Sequence, residues 1–539
     1  MTIGTLLRRA TLDNRYDIVV IGSGIGGLTA AVCLAKAGQK VLVLERHYTA
    51  GGFTHTYERK GYEWDVGVHY IGDVHREGSL LRRVFDYISD DQIQWAEMSP
   101  VYDRIYIGQE AFDYVKGEDA FREKMFQYFP EEKDAINQYL KLIKEVNRSS
   151  SPYYMEHALP SWLAKILYKK LTGPFLHYAT QTTEEVLLRL TKNRKLIAVL
   201  TGQWGDYGLP PSQSSFAMHA LVAKHYLNGA AYPVGGSASI AQSVEVVLKK
   251  FGGQLITSAE VQEIVTEGNK ASGVRLQDGR VIHAGNIISG AGVINTFQKL
   301  LPDACPAKKE YLKNIQSVTP SFAHMCLYIG LKGNLKELNV PSTNLWIYPN
   351  EDHDANIKQL TSRPTLDFPV VYMSFPSSKD PAWDRKHPGK STIEIVVPAP
   401  YQWFEKWKET KWQKRGAEYN QLKKDVTDHL LGMLLEKYPQ LKDSIHYTEL
   451  SSPLSTAHFS NYQHGEIYGI NHDAKRFQKR WLRADTPVRN LYLTGQDIVT
   501  CGIGGALSAG VLTAIRVLGP FRARHLIQLM KPRKRVASA

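Results

Sequence analysis

The chain has 539 residues, of which 43% are hydrophobic and 22% charged, the composition of an ordinary globular protein long enough for two or more layered domains. Its net charge of +13 fits either a solvated basic surface or attraction to an anionic membrane face; no nucleic-acid-binding motif accompanies the charge, so nucleic acid is not an expected partner. The four cysteines (Cys33, Cys305, Cys326 and Cys501) form no C-x-x-C pair, which argues against a zinc site or a disulfide framework and fits a reducing compartment. The first sixteen residues lack an apolar core, so no secretory signal is expected and the reading is cytoplasmic.

The first informative stretch runs from Asp17 to Gly52. Ile18 to Ile21 form an apolar, β-branched run suited to a strand buried on both faces. Gly22, Gly24 and Gly27 then supply G-x-G-x-x-G, with Ile25 inside the turn. The first glycine allows the tight turn, the second lets the backbone approach a pyrophosphate, and the third lets the next helix pack on the sheet. A helix is expected over Leu28 to Ala37 with Gly38 at its C-terminal cap, then a strand over Val41 to Leu44. Glu45 ends that strand as an acceptor for ribose hydroxyls, with Arg46 beside it. Strand, turn, helix, strand and acid in this order predict a bound dinucleotide. It is the one complete fingerprint in the chain, since Asn286 to Gly292 lacks the spacing for a second.

Further along, alternation around Gly61 to Val68 predicts two short strands, and Ala120 to Arg148 reads as helical. Pro160 to Tyr178 places Trp162, Leu163, Ile166 and Leu167 at helical spacing among Lys165, Lys169 and Lys170. It fits a surface helix packed on a core or an interfacial amphipathic helix. A second glycine pair, Gly235-Gly236, precedes another helix. Strands are expected at 254–256, 261–267, 271–276 and 280–283, and again from Asn286. After 300, strands are expected at 324–331, 369–375 and 392–398, and a helix at 417–438. The chain returns at Leu491 to Thr494, followed by Gly495, Asp497 and a glycine-rich helix. Residues 498–518 imitate a membrane span but contain four glycines and Arg516, and read as a buried helix. The expected architecture is α/β: a discontinuous Rossmann-type domain (15–75, 233–300, 486–520), a mixed α+β substrate-binding domain (76–232, 301–485) and a basic tail (521–539).

Four stretches, VIGSGIGGLTAA (20–31), GGFTHTYERKGYEWDVGVHYIG (51–72), GLPPSQSSFAMHALVAKHYLNGAAYPVGG (208–236) and LYLTGQDIVTCGIGGAL (491–507), resemble the FAD-dependent carotenoid desaturase, carotenoid isomerase and retinol saturase superfamily. The resemblance covers nearly the whole chain, and the two middle stretches point to the saturase branch. It implies non-covalent FAD held by Gly22, Gly24, Ile25, Gly27, Glu45, Arg46, Gly51 and Gly52, with the Val261 backbone on the adenine and Gly495 and Asp497 near the ribityl–pyrophosphate region. No metal is implied. The short N-terminus lacks the apolar anchor of the animal saturases, so peripheral rather than integral membrane contact is expected.

The implied chemistry is flavin-mediated saturation of a carbon–carbon double bond in a hydrophobic polyene, which needs a proton donor. Two His-Tyr pairs are candidates, His69/Tyr70 and His225/Tyr226; either pair could instead be structural. Reduction of the flavin would fall to transiently docked NAD(P)H or to an electron-donor protein. A desaturase or isomerase on the same fold is the alternative, and a prenyl-protein escort or GDP-dissociation inhibitor-like binder is the non-enzymatic one. The intact glycine pattern with Glu45 argues against the last.

Overall fold

The computed structural model describes residues 2–157, 159, 161–360 and 363–531. Its first layer is an eight-stranded sheet built from distant segments. Parallel strands run in the order Thr5–Leu6, Gln254–Thr257, Val41–Leu44, Arg15–Ile21 and Val281–Ser289. Lys270–Leu276 and Val261–Glu267 extend the sheet antiparallel, and Leu491–Leu493 pairs with Val281–Ser289. Val41–Leu44 is buried along its length, as a strand covered on both faces must be.

Two apolar helices cover one face and touch through glycine. A Cβ on Gly510 would lie 2.5 Å from the Gly26 carbonyl oxygen, and one on Gly26 would lie 2.9 Å from the Ala506 oxygen. The helices Ile25–Lys36 and Gly502–Arg522 therefore meet at backbone distance, possible only without side chains at the crossing. By length and composition the second helix could cross a membrane, yet half of its apolar window is buried in the protein. Its sequence reading as a core helix agrees with this packing. It breaks at Gly519, whose φ is +74°, just before Pro520.

The second layer is a seven-stranded sheet in the order Ile445–Leu450, His324–Lys332, Lys390–Pro398, Val371–Ser374, Asn344–Tyr348, Val101–Ile107, Glu110–Val115. One face carries the Ala417–Lys437 helix through Val426, Leu430 and Leu434. Toward its other edge lies a helical layer that includes Lys133–Glu156, Ser161–Ala179 and Phe216–Tyr226. A hairpin, Thr56–Arg59 with Tyr62–Asp65, leads from the first layer to the second, turning at Lys60 and Gly61, both with positive φ.

Several elements differ from expectation. The strands anticipated at 280–283 and 286–292 are one, Val281–Ser289. Gly285 reads as a break, but a Cβ there would lie 3.0 Å from the Asp17 oxygen, so it permits close strand approach rather than a turn. The helix expected over 120–148 is two, Glu118–Tyr128 and Lys133–Glu156, separated at Pro130. The first helix begins at Ile25 instead of Leu28, because Gly24 is its N-cap. Leu80–Ser89, beyond the expected boundary at 75, buries Val84, Phe85 and Ile88 in the core of the first layer.

Candidate active site

Four backbone segments converge on one end of the first sheet. Gly22 has φ +92° and hands the chain from the Arg15–Ile21 strand to the Ile25–Lys36 helix. The two flanking glycines do different things. A Cβ on Gly27 would lie 2.3 Å from the Gly22 oxygen, so this residue is bare for packing; a Cβ on Gly24 would meet no protein atom, so its open side faces the cavity. Gly51 forms a bridge with Gly24, and a Cβ on Gly52 would come 2.9 Å from the Gly24 Cα, so the Gly51-Gly52 pair closes over the Gly22–Gly24 turn. The Ile25–Lys36 helix starts at this cradle, and the first N–H groups of a helix, lacking intrahelical partners, suit an anion.

Glu45 is fixed in place at the cavity wall. Its Oε2 accepts from Ser23 N at 2.9 Å and Ser23 Oγ at 2.7 Å, and its Oε1 from His47 N at 2.8 Å. A carboxylate has about four acceptor positions, so capacity remains for a hydroxyl. Arg46 donates to the His458 oxygen and pairs with Glu260 at 3.5 Å at the rim. Gly495 (φ +95°) and the first turn of Gly502–Arg522 close the far side. This open-sided glycine cradle with a preset acid fits FAD.

The cradle opens into a cavity of about 1160 Å³. Beyond the dinucleotide segments, its walls are largely apolar and aromatic, including Leu221, Val222, Phe322, Tyr328, Trp346 and Tyr372. The volume is at the upper end for small-molecule sites, enough for a cofactor and a second elongated ligand.

At the junction sits a buried polar network. His69 Nδ1 lies 2.7 Å from Glu394 Oε2. Burial pushes the Glu394 carboxyl up to about 8 and the His69 imidazole down to about 4, so both are neutral near pH 7 and the contact is not an ion pair. The other Glu394 oxygen accepts from Asp65 N, while Asp65 takes hydrogen bonds from Ser237 N and the Tyr232 hydroxyl and is raised to about 7, chiefly by burial. Lys379 Nζ donates to the His69 carbonyl (3.0 Å), Asn344 Oδ1 and Ser374 Oγ, and burial lowers it to about 8. Asn344 donates in turn to Asp103, which also accepts from Gln203 Nε2 and the Tyr70 hydroxyl, at 2.8, 2.7 and 2.9 Å. Asp206 stands 3.5 Å from the same hydroxyl and lines the cavity. Of this network His69, Tyr70 and Asp206 line the cavity, and Asp65, Asp103, Lys379 and Glu394 lie behind its wall.

The sequence candidates divide. His69 and Tyr70 both line the cavity and back onto this network. Tyr226 stacks on Tyr70 with ring centres 4.4 Å apart and lines the cavity too. His225 also borders it, but its Nε2 accepts from Gly72 N at 2.9 Å, and burial lowers it to about 4. Gly22, Gly24, Ile25, Gly27, Glu45, Arg46, Gly51, Gly52, Val261 and Gly495 all face the cavity. Asp497 lies behind this lining: its carboxylate accepts from Val293 N and Ile470 N and ties two loops together next to Gly495. Cys501 is the N-cap of the Gly502–Arg522 helix, and burial pushes its thiol up, away from the reactive thiolate. Sequence reading missed Asp65, Asp103, Asp206, Lys379 and Glu394. Two of them left a signal, an acid within a largely apolar strand (Asp103 in VYDRIYI and Glu394 in STIEIVVP), whereas Asp206 and Lys379 lie in short helices with no such pattern.

The flavin containing amine oxidoreductase family matches residues 25–518. The all-trans-retinol 13,14-reductase of Macaca fascicularis is 37% identical over 94% of this chain and 86% of its own. That of Danio rerio is 37% identical, over 96% and 87%. The chloroplastic prolycopene isomerase of Daucus carota is 28% identical, over 82% and 70%. Among solved structures, wild-type putrescine oxidase bound to putrescine aligns with a TM-score of 0.61 at 14% identity, over 94% of this chain and 99% of that one. Cyclohexylamine oxidase from Brevibacterium oxydans aligns with a TM-score of 0.58 at 15% identity, over 96% and 98%. These structures share the fold. The chain belongs to the flavin containing amine oxidoreductase family and is an FAD-dependent oxidoreductase.

Proposed function

We propose that this enzyme saturates one carbon–carbon double bond of a long apolar polyene: a retinoid, a carotenoid or a related isoprenoid. The observation that carries the reading is the continuity of the cavity, which runs from the glycine cradle into an apolar, aromatic chamber with a buried proton-bearing network at the junction. The relatives named as retinol reductases support it at 37% identity. Bound FAD supplies hydride to one carbon of the alkene. The chain's own residues hold the cofactor through the glycine loops and Glu45, exclude water with aromatic walls, and keep a proton ready near Tyr70 and His69. An alkene offers no strong hydrogen-bond handle, so alignment along the chamber carries most of the rate. Reducing equivalents arrive from transient NAD(P)H or from an electron-donor protein.

The likeness to prolycopene isomerases keeps a second outcome open, isomerisation without net reduction. Anaerobic incubation of the reduced holoprotein with all-trans-retinol and with a carotene, followed by mass analysis, separates the two. A product heavier by two hydrogens supports saturation; one of unchanged mass with altered double-bond geometry replaces it with isomerisation. We also infer peripheral docking on an anionic membrane, where such substrates reside. On the Ser161–Ala179 helix, Ile166 is 71% exposed among the exposed side chains of Lys165, Lys169 and Lys170. Past the Gly519 break, Phe521 is 94% exposed. Arg533, Lys534 and Arg535 of the basic tail, and Pro160 ahead of the helix, lie outside the described residues.

A further inference from the structure

The polar network holds two carboxyl groups around a single phenol. The Tyr70 hydroxyl is 2.9 Å from Asp103 Oδ2 and 3.5 Å from Asp206 Oδ2. A phenol carries one proton and two lone pairs. The shorter contact takes the proton, so toward Asp206 the oxygen offers only a lone pair, and a hydrogen bond there requires the proton to come from Asp206. Asp103 already receives three donors (Tyr70, Gln203 and Asn344), which suits it to hold the pair's single negative charge. Two carboxylates that share one phenol in a low-dielectric wall disfavour each other's ionisation, and the proton settles on the one with fewer donors. Burial and the Asp103 charge both push Asp206 well above the usual carboxylate range. Among the described residues, the groups whose charge acts with that of Asp206 include Asp103, the Cys501 thiol and the phenols of Tyr70, Tyr207, Tyr226, Tyr348, Tyr372 and Tyr468.

Position agrees with charge. Asp206 is partly exposed and lines the cavity, unlike the fully buried Asp103. Its backbone oxygen lies 3.6 Å from the Cys501 Sγ, at the cap of the helix whose first turn closes the cofactor cradle. The acid thus faces the chamber where the chamber meets the cradle.

We propose that Asp206 is the acid that protonates the polyene carbon, with Tyr70 and Asp103 as its positioning residues. This rests on the saturase reading above. The carboxyl O–H bond breaks and a C–H bond forms at the carbon next to the one that receives hydride. The alkene gains two electrons and two hydrogens, with reduced FAD as the reductant. Asp206 is left as a carboxylate and regains its proton from solvent.

The test pairs a spectrum with turnover. In the resting holoprotein near pH 7, the infrared spectrum should contain a carboxylic-acid carbonyl band that shifts in D2O and is lost in Asp206→Asn, while the bands of Asp65 and Glu394 persist. With substrate, Asp206→Asn should keep its flavin and slow product formation roughly 100-fold, the scale for losing a general acid. Asp206→Glu should recover part of that loss. An Asp206→Asn spectrum with every acid band intact, or turnover within threefold of wild type, overturns the proposal. A wild type that reduces no polyene overturns only the substrate reading, because the infrared band reports Asp206 without substrate.

Discussion

His69 and Glu394 meet at 2.7 Å across two sheets, the loop after the Tyr62–Asp65 hairpin strand reaching the middle of the Lys390–Pro398 strand. Both are neutral by burial, and they respond oppositely to pH. Glu394 keeps its proton in the folded state up to about 8 but loses it near 4.5 when unfolded. Over that window the folded state binds more protons, so this group's contribution to stability falls as pH rises. His69, lowered from 6.5 to about 4, makes stability rise with pH over its own window, which overlaps the lower part of the first. The Glu394 effect should therefore stand out between about pH 6.5 and 8. The prediction is that Glu394→Gln loses stability less steeply than wild type across that range, read as melting temperature in matched buffers. Parallel pH profiles for the two proteins would remove Glu394 as a buried neutral acid.

The cradle glycines should separate folding from cofactor binding. A side chain at Gly24 enters open cavity, so Gly24→Val should fold with near-native stability and purify colourless, having lost its flavin. A side chain at Gly27 strikes the Gly22 carbonyl, so Gly27→Val should be destabilised by at least the 1–3 kcal/mol or so typical of overpacking. Flavin absorbance and thermal unfolding on the same preparations decide it. A yellow Gly24→Val protein would show that the pyrophosphate does not pass this loop.

Much of this cradle was legible in the sequence, because glycine spacing, a buried strand and a terminal acid are local signals within about three dozen residues. The discontinuous sheet was legible too, from the apolar strands that bring the chain back after 233 and 486. The proton network was not. Asp65, Asp103, Asp206, Lys379 and Glu394 come from five separated segments, and what makes them unusual is mutual burial, a property of packing. The bracing of Asp497 was equally hidden: its carboxylate joins Val293 and Ile470 backbone, both distant from it in sequence.

The two His-Tyr pairs should behave differently. Tyr70→Phe removes the hydroxyl that bridges Asp103 and Asp206 and should slow product formation, at most by the roughly 100-fold of a lost general acid, with flavin retained. His225→Ala leaves the buried Gly72 N–H without its acceptor, which costs about 1–3 kcal/mol of stability, while turnover of the folded fraction should change little. Turnover normalised to flavin content, set beside the melting temperatures, distinguishes them. A His225→Ala protein with native stability and lost turnover would move the proton donor to the end of the Phe216–Tyr226 helix.

Membrane docking should be electrostatic in its reach and apolar in its grip. Exposed Lys165, Lys169 and Lys170 on the Ser161–Ala179 helix provide three charges beside the exposed Ile166, and Phe521 adds a second apolar contact past the Gly519 break. Each basic residue near an anionic surface contributes about 1 kcal/mol, screened over a Debye length of about 10 Å at 0.1 M salt. Reversing three lysines should therefore cost well over a hundredfold in partitioning, since about 1.4 kcal/mol is tenfold. The expected result is binding to vesicles containing phosphatidylserine, weakened by high salt, by Lys165→Glu with Lys169→Glu and Lys170→Glu, and by Phe521→Ser. Neutral phosphatidylcholine vesicles should bind little. The flavin spectrum should be unchanged in these variants, because none of the four residues borders the cavity. Equal binding to neutral and anionic vesicles would replace the charge argument with a purely apolar one. Resistance to salt extraction would point instead to insertion of the Gly502–Arg522 helix, which its packing against Gly26 and Thr29 forbids without unfolding the cofactor domain.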